Sequence, residues 1–437
     1  WGIAMRKGQT FEGRLYLRGS GDVVVALQSA DGTKEYASQR ITGIGAAWKK
    51  FPFELTAAAA DGDARFALYL DRPGRVQADQ VTLMSTGEDR FRGLPLRGDI
   101  GQAMVDQGLT FLRYGGTMIN ISGYRFKKMI GDRDKRPPYH GHWYRWSTNG
   151  FGIEDFLQFC EKAGFTAAFA VNIEETPQDM ADMIEYLNGP VTSEWGRRRA
   201  ENGHPEPYGV KYIGIGNEDL ITDIFKERFT MIYLAIKEKY PEMIVVGTVG
   251  PFNEGTDYVE GWKLADKLGV PMVDEHYYQS PGWFLHNQDF YDKYDRSKKT
   301  KVYLGEYATH IPGRKANMET ALTEALYLTA LERNGDVVHM SSYAPLLAKD
   351  GRTQWNPDLI YFNNREVRPT TGYYVQKLYG QNAGDHYIPS QINLDNQDSR
   401  VKLRVGSSIV RDSKTGDVIV KLVNLLPVSI ETDVRLP

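Results

Sequence analysis

A single cysteine, Cys160, stands in 437 residues, so no disulfide framework can form within the chain. That scarcity does not exclude export, because a large domain buries enough core to do without disulfides. No run approaches the roughly 20 consecutive apolar residues of a membrane-spanning helix. Neither sign of charge dominates: 53 Lys and Arg stand against 56 Asp and Glu. Without a basic excess or a block of like charge, neither nucleic acid nor a membrane is an expected partner. Also absent are the phosphate-binding Gly-x-x-x-x-Gly-Lys loop, the Gly-x-Ser-x-Gly nucleophile elbow and the His-Glu-x-x-His metal helix. His140-Gly141-His142 suggests a metal pair, but no companion ligand follows at zinc-site spacing. It reads as a cleft-lining loop, and no metal or organic cofactor is expected.

Aromatic residues are abundant, with 26 Tyr, 18 Phe and 8 Trp. They suit stacking on sugar rings, but they suit a large core as well, and the core is the default reading. At roughly 100–200 residues per domain, the length allows two to four domains. The chain starts at Trp1, without a Met or a signal peptide, in what reads as mid-strand. Sequence upstream is therefore expected, and localisation cannot be read.

Residues 1–86 alternate with period two. Phe11–Leu17, Val23–Leu27 and Arg65–Leu70 read as strands, and Asp31-Gly32, Asp61-Gly62 and Pro73-Gly74 as turns. This texture predicts a β-sandwich whose aromatics Tyr16, Trp48, Phe53 and Tyr69 serve its core ahead of any binding role. From about residue 97, short apolar runs starting at 111, 167, 212, 244, 272, 302 and 337 alternate with helical segments such as 151–162, 226–240 and 318–334. Strands alternating with helices imply parallel β-structure with crossover helices. Seven units fit an open doubly wound sheet, but polar residues gather at strand C-termini, where a (β/α)8 barrel carries its chemistry. The barrel is preferred, with its eighth strand expected upstream of Trp1. After about residue 381 the pattern returns to β. Strands at 401–405 and 418–423 flank a turn at 412–416, and this hairpin must complete a sheet with strands from elsewhere. Cys160 lies on the apolar side of its helix and reads as core.

Two strand ends deliver a glutamate. Gly214-Ile215-Gly216-Asn217-Glu218-Asp219 ends an apolar strand in Asn-Glu. An N-cap role could account for Asn217 or Asp219 but not for Glu218. Val302-Tyr303-Leu304-Gly305-Glu306-Tyr307 repeats the pattern. Alone, Glu306 reads as a salt-bridged rim carboxylate. Together, two carboxylates at facing strand tips suggest a retaining glycosidase, whose carboxyl groups stand about 5–5.5 Å apart. His276 and Tyr278, two apart on one strand, share a face. Taken by themselves they read as packed barrel-layer residues, and Tyr278 could alternatively hydrogen-bond a nucleophilic carboxylate.

These residues resemble a known family. Phe111-Leu112-Arg113-Tyr114-Gly115-Gly116, Asn202-Gly203-His204-Pro205-Glu206-Pro207, Gly216-Asn217-Glu218, Gly305-Glu306-Tyr307-Ala308, Ser342-Tyr343-Ala344-Pro345-Leu346 and Trp355-Asn356-Pro357-Asp358 look like glycoside hydrolase family 51. Most members are α-L-arabinofuranosidases. The resemblance implies Glu218 as acid/base, Glu306 as nucleophile and Asn217 as the ligand of the sugar 2-hydroxyl. It also implies His276, Tyr278, Arg113, Thr117 and Trp355 as substrate-binding residues. A polysaccharide becomes the expected partner, with a homo-oligomer left open. The implied architecture is a carbohydrate-binding-module-like sandwich over 1–86, a catalytic barrel over 97–380 and the start of a C-terminal sandwich over 381–437. One departure concerns the sugar site. Where the family shows Arg-x-Pro-Gly-Gly-Asn, this chain has Arg113-Tyr114-Gly115-Gly116-Thr117, and a hydroxyl cannot supply both the donor and the acceptor of an amide. A β-glucan-cleaving enzyme of the same family is the alternative substrate reading. A carbohydrate-binding protein with a decayed barrel is the alternative of a different class.

Overall fold

The computed structural model describes residues 2–435, so the strand entry expected at Trp1 lies outside the described residues. The chain forms two compact units. One holds residues up to Asp106 together with Lys349–Gly351 and Tyr361–Arg368. The other holds Gln107–Ala348, Arg352–Ile360 and the remainder.

Among the described residues, the N-terminal part of the first unit forms seven strands: β1 (Ile3–Met5), β2 (Thr10–Ser20), β3 (Val23–Gln28), β4 (Glu35–Ile41), β5 (Lys49–Thr56), β6 (Asp61–Tyr69) and β7 (Arg75–Ser85). They form two antiparallel sheets, β1-β6-β3-β4 and β5-β2-β7. Alternate residues Leu15, Leu17, Val23, Val25, Leu27, Phe53 and Leu55 fill the shared core. This is the period-two arrangement of a sandwich, with one face of each sheet buried. Asp61-Gly62, expected as a turn, instead opens β6, where Asp61 pairs with Met5. Of the four aromatics assigned to the core, only Phe53 is buried, stacked on Phe66 at 5.6 Å. Trp48 is exposed beneath the Arg18 guanidinium, 4.8 Å from its ring centre.

The second unit is built on a parallel sheet whose order follows the sequence: β8 (Phe111–Tyr114), β9 (Thr166–Val171), β10 (Tyr212–Ile215), β11 (Ile244–Thr248), β12 (Met272–Gln279), β13 (Lys301–Thr309) and β14 (Val338–Tyr343). It curves into a nearly closed (β/α) barrel, the architecture preferred from the polar residues at the strand C-termini. Val246, Met272 and Tyr303, with Phe111, Tyr212, Ile244 and Met340, make one interior layer drawn from six strands. Such layers are what fill a barrel of this kind. Among the described residues the outer edges of β8 and β14 do not pair with each other. A cavity of about 1300 Å³ runs between them, lined by Phe111, Arg113, Met340 and Ser342, and reaches Glu218 and Glu306.

The C-terminal β-structure departs from expectation at one point. Of residues 401–405 only Val405 belongs to a strand. Asp398 accepts the Arg400 N–H and starts the helical turn Ser399–Lys402, and the strand begins at Val405. Val405–Arg411 pairs with Val418–Asn424 and with His386–Ile388 in a three-stranded sheet. So small a sheet needs a partner surface, and the helix Met318–Arg333 supplies it. Leu326 and Ala325 pack with Val423 and Leu285, and Lys421 Nζ lies 2.6 Å from Glu332 Oε1. Leu326→Ala should therefore cost about 2–5 kcal/mol. Urea denaturation of the purified chain would show it as a lower midpoint at unchanged m-value.

Candidate active site

Four strands bring charge to the barrel mouth. Arg113 leaves the end of β8, and Asp274, His276 and Tyr278 leave β12. Glu306 comes from β13, and Asn217 and Glu218 follow β10. On β12 the two-residue period turns Met272, Asp274, His276 and Tyr278 inward together. On β13 strict alternation would send Tyr303 and Glu306 to opposite faces. The register of β12 against β13 slips between Glu275 and His276, so that Leu304 pairs with Glu275 and Glu306 with His276. The residue passed over is Gly305. This irregularity lets both Tyr303 and Glu306 face the interior. Only glycine fits there: a Cβ on Gly305 would come within 1.8 Å of Asp274 Oδ1 and 3.0 Å of His276 Nε2.

After β10, Gly216 takes φ +81° and Glu218 takes φ +53°. A left-handed conformation costs a non-glycine residue on the order of 1–3 kcal/mol and persists only when its surroundings impose it. The backbone at Gly216 is closely approached, since a Cβ there would lie 2.4 Å from Asp219 Oδ2. Neither Asn217 nor Asp219 caps the next helix. Thr222 does so, accepting from the Phe225 N–H.

The polar contacts form one connected set. Arg113 donates from Nη1 to Glu306 Oε1 at 2.9 Å and from Nη2 to Asn217 Oδ1 at 2.6 Å. The same Nη2 lies 3.3 Å from Asp274 Oδ2. Tyr278 donates its hydroxyl to Glu306 Oε2 at 2.6 Å. His276 places Nδ1 3.1 Å from Glu218 Oε1 and 3.7 Å from Glu306 Oε2, and Nε2 3.1 Å from Asp274 Oδ2. Burial alone would raise the Glu306 carboxyl, but the charges of His276 and Arg113 and the Tyr278 hydroxyl outweigh it and hold it below the usual carboxylate range. Burial likewise opposes a charged His276, yet Asp274 and Glu306 raise it to about 10. Ligand atoms of Glu218, His276 and Glu306 all lie within 4.8 Å of one another. A metal could find three ligands there, but an imidazolium has no free lone pair to offer, so at neutral pH the cluster is arranged to hold protons.

Every residue that the family resemblance assigned to catalysis or sugar binding lies at this site or on its wall. Thr117 and Trp355 line the cavity, and Trp355 packs against Tyr278 with ring centres 5.1 Å apart. Among the described residues, Asn217 Nδ2 is buried without a hydrogen-bond partner. His140 and His142 do not join the site. They pair with Trp146 and Trp143 in their own loop. Sequence reasoning gave no role to Asp274, although the alternation that joined His276 to Tyr278 extends to it. Trp143 and Tyr144, also on the cavity wall, carry no local signal beyond being aromatic.

The family model for the α-L-arabinofuranosidase 1 domain matches residues 103–296, and that for the α-L-arabinofuranosidase C-terminal domain matches 291–434. An extracellular exo-α-L-arabinofuranosidase of Streptomyces chartreusis is 34% identical over 425 residues, covering 89% of this chain and 50% of that protein. α-L-Arabinofuranosidase 1 of Arabidopsis thaliana is 30% identical, covering 90% and 60%. The chain thus spans about half to three-fifths of these relatives. The solved structure of arabinose-bound MgGH51 α-L-arabinofuranosidase superposes with a TM-score of 0.82 at 27% identity, covering 97% of this chain and 72% of that one.

Two outcomes test the charge network. Gly305→Ala should displace Asp274 or His276 and destabilise the fold by about 1–3 kcal/mol, measured by chemical denaturation. His276 should titrate near pH 10 in nitrogen-15 NMR spectra. A folded-state value above the unfolded one means that the native state holds the extra proton. The stability His276 contributes is therefore full below about pH 6.5 and lost as pH rises through about 10. His276→Gln should flatten that alkaline decline.

Proposed function

We propose that this chain, which belongs to glycoside hydrolase family 51, hydrolyses α-L-arabinofuranosides with retention of configuration. The observation that carries the reading is the carboxylate pair: oxygens of Glu218 and Glu306 lie within 4.8 Å. That spacing suits a retaining enzyme, whereas an inverting one leaves room for water at about 6.5–9.5 Å. The names of the relatives supply the sugar.

In this reading Glu306, kept ionised by Arg113, His276 and Tyr278, attacks the anomeric carbon. The glycosidic C–O bond breaks as Glu218 gives its proton to the leaving oxygen, and an ester joins the sugar to Glu306. Glu218, now a carboxylate, takes a proton from water, whose oxygen attacks the same carbon and releases Glu306. Asn217 Nδ2 binds the sugar 2-hydroxyl. Thr117 and Trp355 bound the sugar pocket, with Thr117 leaving room where relatives place an amide. Residues 1–86 serve as an accessory carbohydrate-binding-like sandwich. The exposed Trp48 is its best-placed ring for a sugar face.

Glu306→Ala should lower kcat on a nitrophenyl α-L-arabinofuranoside by at least about 10⁴-fold. NMR of the first product released should show retained configuration. Inversion would refute the mechanism, and preference for a β-glucoside over the arabinofuranoside would refute the substrate.

A further inference from the structure

Glu218 is the one residue of the carboxylate pair whose backbone is strained, and three side chains hold that backbone in place. Asp219 accepts the Asn217 N–H through Oδ2 at 2.8 Å. Asn120, on the loop after β8, donates from Nδ2 to the Asn217 carbonyl at 3.0 Å and to Asp219 Oδ1 at 3.2 Å. Thr248, the last residue of β11, accepts the Glu218 N–H at 3.1 Å. Asp219 sits against Gly216, in the space a Cβ would need. The two peptide groups on either side of Asn217, the second of which carries the Glu218 N–H, are thus tied to the loop after β8, to β11 and to the turn itself. The Glu218 side chain has only His276 Nδ1, at 3.1 Å, as a hydrogen-bond partner among the described residues. With a single contact at its tip, its direction is set by its backbone.

We propose that Asn120 and Asp219 form a clasp that positions Glu218 for proton transfer, a role separate from binding sugar. This rests on the hydrolase reading above. Neither residue touches the carboxylate pair, so neither is a catalytic residue. Their effect passes through the left-handed turn. Once the clasp is open, the turn can relax to an ordinary conformation and carry the Glu218 carboxyl away from the leaving oxygen. Arg113, Tyr278 and His276 still hold Glu306, so nucleophilic attack survives.

The clasp therefore makes a prediction that depends on the leaving group. A nitrophenolate departs without help, whereas an alkoxide or sugar oxygen needs a proton. The measurement is kcat/KM, which reports steps up to the first bond cleavage, for the full chain on a nitrophenyl and a methyl α-L-arabinofuranoside. Asn120→Ala and Asp219→Ala should each lower the value for the methyl glycoside about 10–100-fold and that for the nitrophenyl glycoside less than about threefold. Asp219→Asn, which keeps one acceptor oxygen, should fall between Asp219→Ala and the parent. Equal losses on both substrates would mean a merely structural role and overturn the proposal, as would an unchanged rate on the methyl glycoside. Asn120 is exposed, so Asn120→Ala decides between these outcomes if Asp219→Ala does not fold. An inactive parent chain would overturn the hydrolase reading itself, a result distinct from an active parent with substrate-independent losses.

Discussion

Two cations held among carboxylates at the mouth of a barrel organise this molecule. Arg113 and His276 are set between Asp274, Glu306 and Glu218, and each cation touches more than one acid. Buried charges are tolerated only when they are paired and hydrogen-bonded, and removing one partner of such a set costs about 3–5 kcal/mol. The set spans β8, β12 and β13 and the turn after β10, so those strands must keep their relative heights for the charges to meet. The same pairing leaves Glu306 ionised and His276 protonated.

The outer side of the sheet is anchored by a second layer of acids. Glu275 points away from the mouth and accepts from Tyr258 at 2.8 Å, Trp262 at 3.0 Å and Tyr291 at 2.7 Å. Burial raises this carboxyl, and these three neutral donors solvate it in place of water. Glu324, on the helix Met318–Arg333, accepts the Thr309 N–H at the end of β13 at 2.9 Å. Burial pushes it up to about 8. Both strands that carry the densest charge inside are thus fastened from outside by buried carboxyl groups, and their tips have little freedom to move.

Two local irregularities put Glu218 and Glu306 where regular structure would not. The slip at Gly305 reverses the facing of Glu306 relative to Tyr303, and the left-handed turn aims Glu218 across the mouth. Each breaks a rule of regular backbone, and each is held by side chains packed against it. Functional sites are where such local exceptions concentrate.

Much of this was legible along the chain. Short apolar runs spaced by helical segments determined the parallel sheet, because burial on both faces demands apolar strands and crossover connections demand amphipathic helices between them. The abrupt change from apolar strand to Asn217-Glu218 and to Glu306 marked the mouth of the barrel. Other features are not local. The strand expected at 401–405 lost to a helical turn because Asp398 offers the backbone an acceptor that alternation cannot reveal. Trp48 lies exposed although its composition reads as core, because burial depends on which sheet face meets its partner. Asp274 became part of the site only once β8 brought Arg113 beside it. The chain by itself determined which residue types end each strand, since hydrophobic periodicity is a property of neighbours in sequence. Only the tertiary structure decided their charge states and aim, since those depend on groups as far as 193 positions apart that meet within 3.1 Å.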